Sequence, residues 1–262
     1  MEKGTALVTG ASSGIGRSFA QRLAAEGYGL VLVSRNIARL EELSLELRKQ
    51  YGVETELLPA DLCEREQIER VAKRLRDESR PIDILVNNAG AGIAKPFTQS
   101  SLLEEEQMLE LLVRAVLVLS HAVIPGMIAR GHGNIIVVSS VAGFIPGGTY
   151  SAAKSWTTMF TTALAGQLSG TGVTASALCP GFVRTEFQQR AGIDLSFLPN
   201  WVWLDADRVV DDCLAKTRSG RAIIIPSLRY KITTFLMRRI PLFLLETVAK
   251  SRMRTPAATE KT

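Results

Sequence analysis

The sequence predicts an α/β fold, a doubly wound parallel sheet sandwiched between helices in one domain. Three observations carry that expectation. Short β-branched runs alternate with longer amphipathic stretches along most of the chain, the pattern of parallel crossover units. The β runs are almost continuously apolar, as strands covered on both faces must be. A glycine-rich turn joins the first strand to the first helix.

The elements follow in order. Ala6-Leu7-Val8 is the first strand, and residues 15–26 form a helix. Leu30-Val31-Leu32-Val33 is the second strand, followed by a helix over 37–50 whose leucines recur at helical spacing. Residues 54–58 form the third strand, 64–78 a highly charged helix, and Ile82-Asp83-Ile84-Leu85-Val86 the fourth strand. A long helix over 103–130 then leads to the strand 134–138. A helix over 150–168 leads to the strand 173–178, and 222–225 is a short late strand. Residues 1–226 thus make one domain, including an irregular insert at 185–204, with a basic amphipathic tail at 227–262.

The 262 residues are 46% hydrophobic and 22% charged, which excludes a disordered or fibrous chain. The net charge of +5 belongs to the tail: residues 228–262 hold eight basic and two acidic side chains, and the other 227 hold 23 and 24. A neutral body argues against nucleic-acid binding. Cys63, Cys179 and Cys213 are too few and too scattered for a disulfide framework or a zinc site. His121 and His132 have no neighbours that suggest a metal. A reducing compartment, and hence the cytoplasm, is expected. The apolar start of the chain is too short for a secretory signal. Arg114, His121 and Pro125 interrupt the longest apolar stretch, 109–129, so a buried helix is expected there and not a membrane span.

The turn Thr9-Gly10-Ala11-Ser12-Ser13-Gly14-Ile15-Gly16 has the chemistry of a dinucleotide cradle. Its glycines let the backbone approach a pyrophosphate, and the helix that follows aims free N–H groups and its positive dipole end at the anion. A tight turn without a ligand is the plainer alternative. The second strand ends in Ser34-Arg35-Asn36, with no acid to bond a ribose 2′-hydroxyl. Arg35 suits a 2′-phosphate, and Ser34 and Asn36 offer further hydrogen bonds. NADP(H) is therefore the expected cofactor in this Rossmann-type arrangement.

Tyr150-Ser151-Ala152-Ala153-Lys154 places a phenol and an ammonium one helical turn apart. A free tyrosine titrates near ~10, and a neighbouring cation is expected to lower that value. Upstream, the strand ending Val137-Val138-Ser139-Ser140 brings a hydroxyl to the sheet edge where ligands bind. There Ser140 suits a carbonyl oxygen gaining negative charge.

These motifs, together with Asp61-Leu62, Asn87-Asn88-Ala89-Gly90 and Pro180-Gly181, resemble the short-chain dehydrogenase/reductase family over residues 4–226. The resemblance implies a reductase or dehydrogenase acting on carbonyls and alcohols. It implies that Asp61 and Leu62 bracket the adenine and that Asn88, Ala89 and Gly90 line the adenosine side. Pro180, Gly181, Val183 and Thr185 would contact the nicotinamide half, and Lys154 would hold its ribose. Tyr150 would be the general acid and base, with Ser140 as its partner on the substrate oxygen.

The chain departs from the family pattern in two ways. Leu112 occupies the position of the asparagine that usually holds a proton-relaying water, and a leucine cannot bond one. Only nine residues separate Ser140 from Tyr150, so the short loop Phe144-Ile145-Pro146-Gly147-Gly148 is expected to reshape the substrate pocket. Phe187, Phe197, Leu198, Trp201, Val202, Trp203 and Leu204 suggest an apolar lid and an apolar substrate, with plain packing on the body as the alternative. The tail over 228–254 suits an amphipathic helix that covers the lid or a neighbouring subunit, or lies on a membrane. In the family the central helix, 103–130 here, and the helix after Tyr150 form a dimer interface, so a homodimer or homotetramer is expected. Two rival readings stand beside this one: a membrane-associated reductase of 3-oxoacyl or steroid-like lipids, and a cofactor-binding protein with little turnover.

Overall fold

Apolar β runs bring almost no side-chain hydrogen bonding of their own, so their backbone groups must pair with one another. In the computed structural model, which describes residues 3–239, they do so throughout. The strands are β1 (Thr5–Thr9), β2 (Gly29–Ser34), β3 (Thr55–Pro59), β4 (Ile84–Asn87), β5 (Gly133–Val138), β6 (Val173–Leu178) and β7 (Ile223–Ile224). They form one parallel seven-stranded sheet in the order β3-β2-β1-β4-β5-β6-β7. Leu7 lies between Val31 and Leu85, and Val86 opposes Ile136.

Alternate strand residues point to opposite faces, and each face has its own helical layer. On one face, Ala6, Val8, Leu30 and Leu32 pack under α1 (Gly14–Ala25), α2 (Ile37–Tyr51) and a later helix at Ala206–Arg218. On the other, Leu7, Val31, Leu85, Ile135 and Val137 pack under α3 (Arg65–Leu75), a helix at Ala115–Arg130 and another at Gly148–Gln167.

The central helix is not α-helical throughout. It comprises α4 (Leu102–Leu109), a π turn at Glu110–Arg114, and α5 (Ala115–Arg130). A π turn consumes an extra residue and rotates what precedes it. Leu112, Val116, Leu119 and Val123 are buried, as a buried helix requires, while Leu109 turns outward and is 42% exposed. The helix after the Ser140 loop, α6 (Gly148–Gln167), begins two residues earlier than expected. The insert at 185–204 contains α7 (Phe187–Arg190) and a parallel bridge between Val183 and Leu204.

The next helix, α8 (Ala206–Arg218), was not expected from the sequence. Its signals were present: Asp205 caps it by accepting from the Arg208 amide at 3.0 Å, and Val209, Val210, Cys213 and Leu214 are buried at helical spacing. Its many charges diluted that apolar pattern. The tail contributes α9 (Leu228–Met237), which lies against the substrate loop; residues 240–254 of the amphipathic segment lie outside the described residues.

Candidate active site

Crossovers leave β1 and β4 toward opposite edges of the sheet, and in open α/β sheets the C-terminal ends of the strands at such a switch point are where ligands bind. Thr9, at the end of β1, braces it. Its hydroxyl donates to the Val86 carbonyl at 3.2 Å and accepts from the amides of Asn88 and Ala89 at 2.9 and 3.0 Å. The Asn88 amide group donates to the carbonyls of Thr9 and Gly10 at 2.9 and 3.3 Å. Asn88 thus sets the shape of the glycine turn, a role that motif reading did not show. Gly10 has φ +65°, and a Cβ there would stand 2.9 Å from the Ala89 Cα; a Cβ at Gly16 would collide with the Gly10 carbonyl.

The turn fits a dinucleotide. Ser13 precedes α1 without making a side-chain cap, and no acid lies in the first turn, so the helix N-terminus keeps its positive end and could receive an anion. Ile15 packs into the core and anchors the helix. At the end of β2 the Ser34 hydroxyl is buried with no partner among the described residues. The Arg35 side chain is 74% exposed, with its guanidinium 3.8 Å from Asp61 Oδ2. An orphan hydroxyl beside an extended guanidinium suits a phosphate. The side-chain carbonyl oxygen of Asn36 accepts from the Arg39 amide at 3.1 Å and caps α2. Asp61 Oδ1 accepts from the Cys63 amide at 2.9 Å, while Leu62 is turned into the core. Gly90 approaches Leu112, whose Cδ2 would lie 3.5 Å from a Cβ at that glycine.

Ser140, Tyr150 and Lys154 meet at the end of β5. Ser140 opens a short 3-10 turn at Val141–Phe144, its Oγ accepting from the Ala142 amide at 3.1 Å. Ser139 ties that strand end to α6, donating to the Lys154 carbonyl at 2.8 Å. The Lys154 side chain is buried; its Nζ donates to the Val138 carbonyl at 2.7 Å and lies 5.8 Å from the centre of the Tyr150 ring. Burial pushes the Lys154 ammonium down to about 8. Burial also pushes the Tyr150 phenol up to about 12, against a hydrogen bond with Ser140 that pulls the other way. The expected lowering of the phenol is therefore not seen in the protein alone, because desolvation outweighs the hydrogen bond with Ser140.

Leu112 sits inside the π turn, 1% exposed, in an apolar cluster with Met108 and Ala153 against which Tyr150 and Ile93 pack. Where the resemblance implies a water-holding amide, this chain has apolar packing. Leu112→Ala is expected to cost about 2–5 kcal/mol of stability, measured by urea unfolding.

The substrate loop is bound to the site at its root. The Pro180 carbonyl accepts from the Val141 amide at 3.0 Å, and Val183 is buried at its bridge to Leu204. A Cβ at Gly14 would lie 2.9 Å from the Thr185 methyl, so the loop reaches across to the glycine turn. Among the aromatics expected to form a lid, Phe187 faces the site, with its ring 5.9 Å from that of Tyr150. Phe197 and Trp201 are 75% and 67% exposed.

The short chain dehydrogenase family model matches residues 4–195. The chain belongs to the short-chain dehydrogenase/reductase family. This dehydrogenase is 34% identical to the very-long-chain 3-oxoacyl-CoA reductase of Anas platyrhynchos over 192 residues, 70% of this chain and 61% of that one. Its fold resembles a short-chain dehydrogenase from Sphingobium yanoikuyae in complex with NADPH, with a TM-score of 0.83 at 34% identity over 99% of this chain and 98% of that one. It also resembles the bulky-bulky ketone specific alcohol dehydrogenase from Comamonas testosteroni, with a TM-score of 0.79 at 28% identity over 100% and 98% of the two chains. As a member of this family, the dehydrogenase is an oxidoreductase acting on CH–OH and C=O groups.

Proposed function

We propose that this enzyme uses NADP(H) to reduce a ketone or aldehyde on an apolar molecule, or to oxidise the corresponding alcohol, with Tyr150 as general acid and base. The observation that carries the proposal is the meeting of Ser140, Tyr150 and Lys154 at the C-terminal edge of the same sheet whose first strand ends in the glycine turn. When bound, the cofactor supplies the hydride to a carbonyl carbon or accepts it from an alcohol.

The chain's own groups manage the oxygen. Ser140 and Tyr150 hydrogen-bond it, and the proton on Tyr150 Oη passes to it as negative charge develops. A phenol held near 12 is protonated at neutral pH, the form that reduction needs. The Lys154 ammonium beside the ring stabilises the phenolate left behind, and its remaining donors suit a ribose. Thr9 and Asn88 hold the turn in which Gly10, Gly14 and Gly16 would cradle the pyrophosphate. Ser34 and Arg35 favour NADP(H) over NAD(H), and the NADPH complex of the Sphingobium relative supports the same choice.

Phe187, Leu112 and Ile93 around Tyr150 make the surroundings of the reacting oxygen apolar. The bulky ketones named for the Comamonas relative are in keeping with that. A membrane-bound reductase finds less support. Among the described residues one helix, 102–130, is long and apolar enough to cross a membrane, but it carries the π turn and packs against the sheet. A homodimer or homotetramer would cover Leu117 on α5 and Met159 on α6, both exposed here.

The test is NADPH and NADH consumption against a panel running from small aldehydes to diaryl ketones. Turnover with NADPH on the apolar members is expected; no turnover on any carbonyl, or equal use of NADH, would overturn the reading. Arg35→Ala is expected to weaken NADPH binding about tenfold or more while leaving NADH binding unchanged, as measured by fluorescence titration.

A further inference from the structure

Helix α9 makes a set of contacts with the substrate loop that the reductase reading does not use. The Tyr230 ring lies so close over Gly181 that a Cβ at that glycine would fall within it. The Tyr230 hydroxyl donates to the Val202 carbonyl at 2.8 Å and accepts from the Phe182 amide at 3.2 Å. One phenol thereby joins the outgoing and returning arms of the loop. Beside it the Arg229 guanidinium donates to the carbonyls of Trp201 and Trp203. At the far end of α9, Arg238 lies 5.6 Å from the centre of the Phe144 ring, on the turn that follows Ser140.

The helix is held there against a backbone cost. Ser227, at its start, has φ +79° and ψ 131°, and is the one residue other than glycine with positive φ among those described. Such a conformation persists only where the surroundings over-determine it. The contacts of Tyr230 and Arg229 are those surroundings.

The path to the reacting groups is short. Gly181 follows Pro180, whose carbonyl receives the amide next to Ser140. Phe182 packs on Trp203 with ring centres 5.9 Å apart, and the same arm leads on to Phe187 against Tyr150. We infer that Tyr230 is a positioning residue that sets substrate-size specificity: its two hydrogen bonds fix the arms of the loop so that Phe187 forms a firm apolar wall for the larger substituent of a ketone. The inference rests on the reductase reading for its substrate and on the loop contacts for its mechanism.

The test compares wild type with Tyr230→Phe, which keeps the ring over Gly181 and loses both hydrogen bonds. Arg229→Met provides a second variant that leaves Tyr230 intact. Two bonds at the usual strength correspond to an expected rise of about thirtyfold in KM for a diaryl ketone. A small methyl ketone, which does not reach the wall, should show a KM change of less than about twofold, and kcat and NADPH affinity should hold for both substrates. Hydrogen exchange at the Phe182 amide should accelerate in Tyr230→Phe. An equal KM change for both ketones, or a loss confined to kcat, would overturn the inference. An unchanged Phe182 amide would do so as well. If wild type reduces no ketone, the reductase reading fails on its own, and the exchange measurement still decides whether Tyr230 holds the loop.

Discussion

Tyr150→Phe is expected to lower kcat by roughly 10²–10⁴-fold, the range for loss of a positioned general acid, while NADPH affinity stays close to that of wild type. The ring contributes packing against Phe187 and the Leu112 cluster, and phenylalanine preserves both contacts. Only the proton and the hydrogen bond with Ser140 are removed. Steady-state kinetics with NADPH and the best ketone, beside a fluorescence titration of the cofactor, separate the two quantities. A variant with wild-type turnover would remove Tyr150 from the mechanism.

Lys154→Met is expected to abolish turnover and, unusually for an active-site variant, to stabilise the protein at pH 7. Burial lowers this ammonium from its ordinary 10.5 to about 8. Below pH 8 both the folded and unfolded chains carry the proton, and the full cost of the buried charge is present. Between 8 and 10.5 the unfolded chain still holds a proton that the folded chain has shed, so stability rises with pH across that window. Above it both forms are neutral and the cost has gone. The shift corresponds to about 3 kcal/mol. Losing the bond to the Val138 carbonyl offsets about 1 kcal/mol of that, so a net gain of about 2 kcal/mol is expected in urea unfolding at pH 7. The gain should vanish near pH 10.5. Destabilisation at pH 7 would mean that Lys154 is held comfortably as a cation.

Much of the fold was readable because its signals are local. Each strand is a short apolar run, and each major helix but one announced itself by periodicity. The exception, α8, carries its buried valines among so many charges that the pattern was missed. The candidate site was readable for the same reason. Tyr150 and Lys154 lie on one helical turn, and Ser140 closely follows the strand before them, so adjacency in sequence implied adjacency in space. The structural roles of neighbouring residues were less readable. Asn36 spends its carbonyl on capping α2, Leu62 faces the core, and Asn88 braces the glycine turn.

By itself the sequence determined the parallel sheet, the glycine turn and the placement of phenol, ammonium and hydroxyl at one sheet edge, since all three follow from chain-local spacing. Only the tertiary structure decided the direction in which Tyr150 titrates, the outward turn of Leu109 and the docking of Tyr230 on Gly181. Those outcomes depend on how deeply a group is desolvated, where a π turn shifts the helical register, and which segment packs from 48 residues away. None of these is a property of a short stretch of chain.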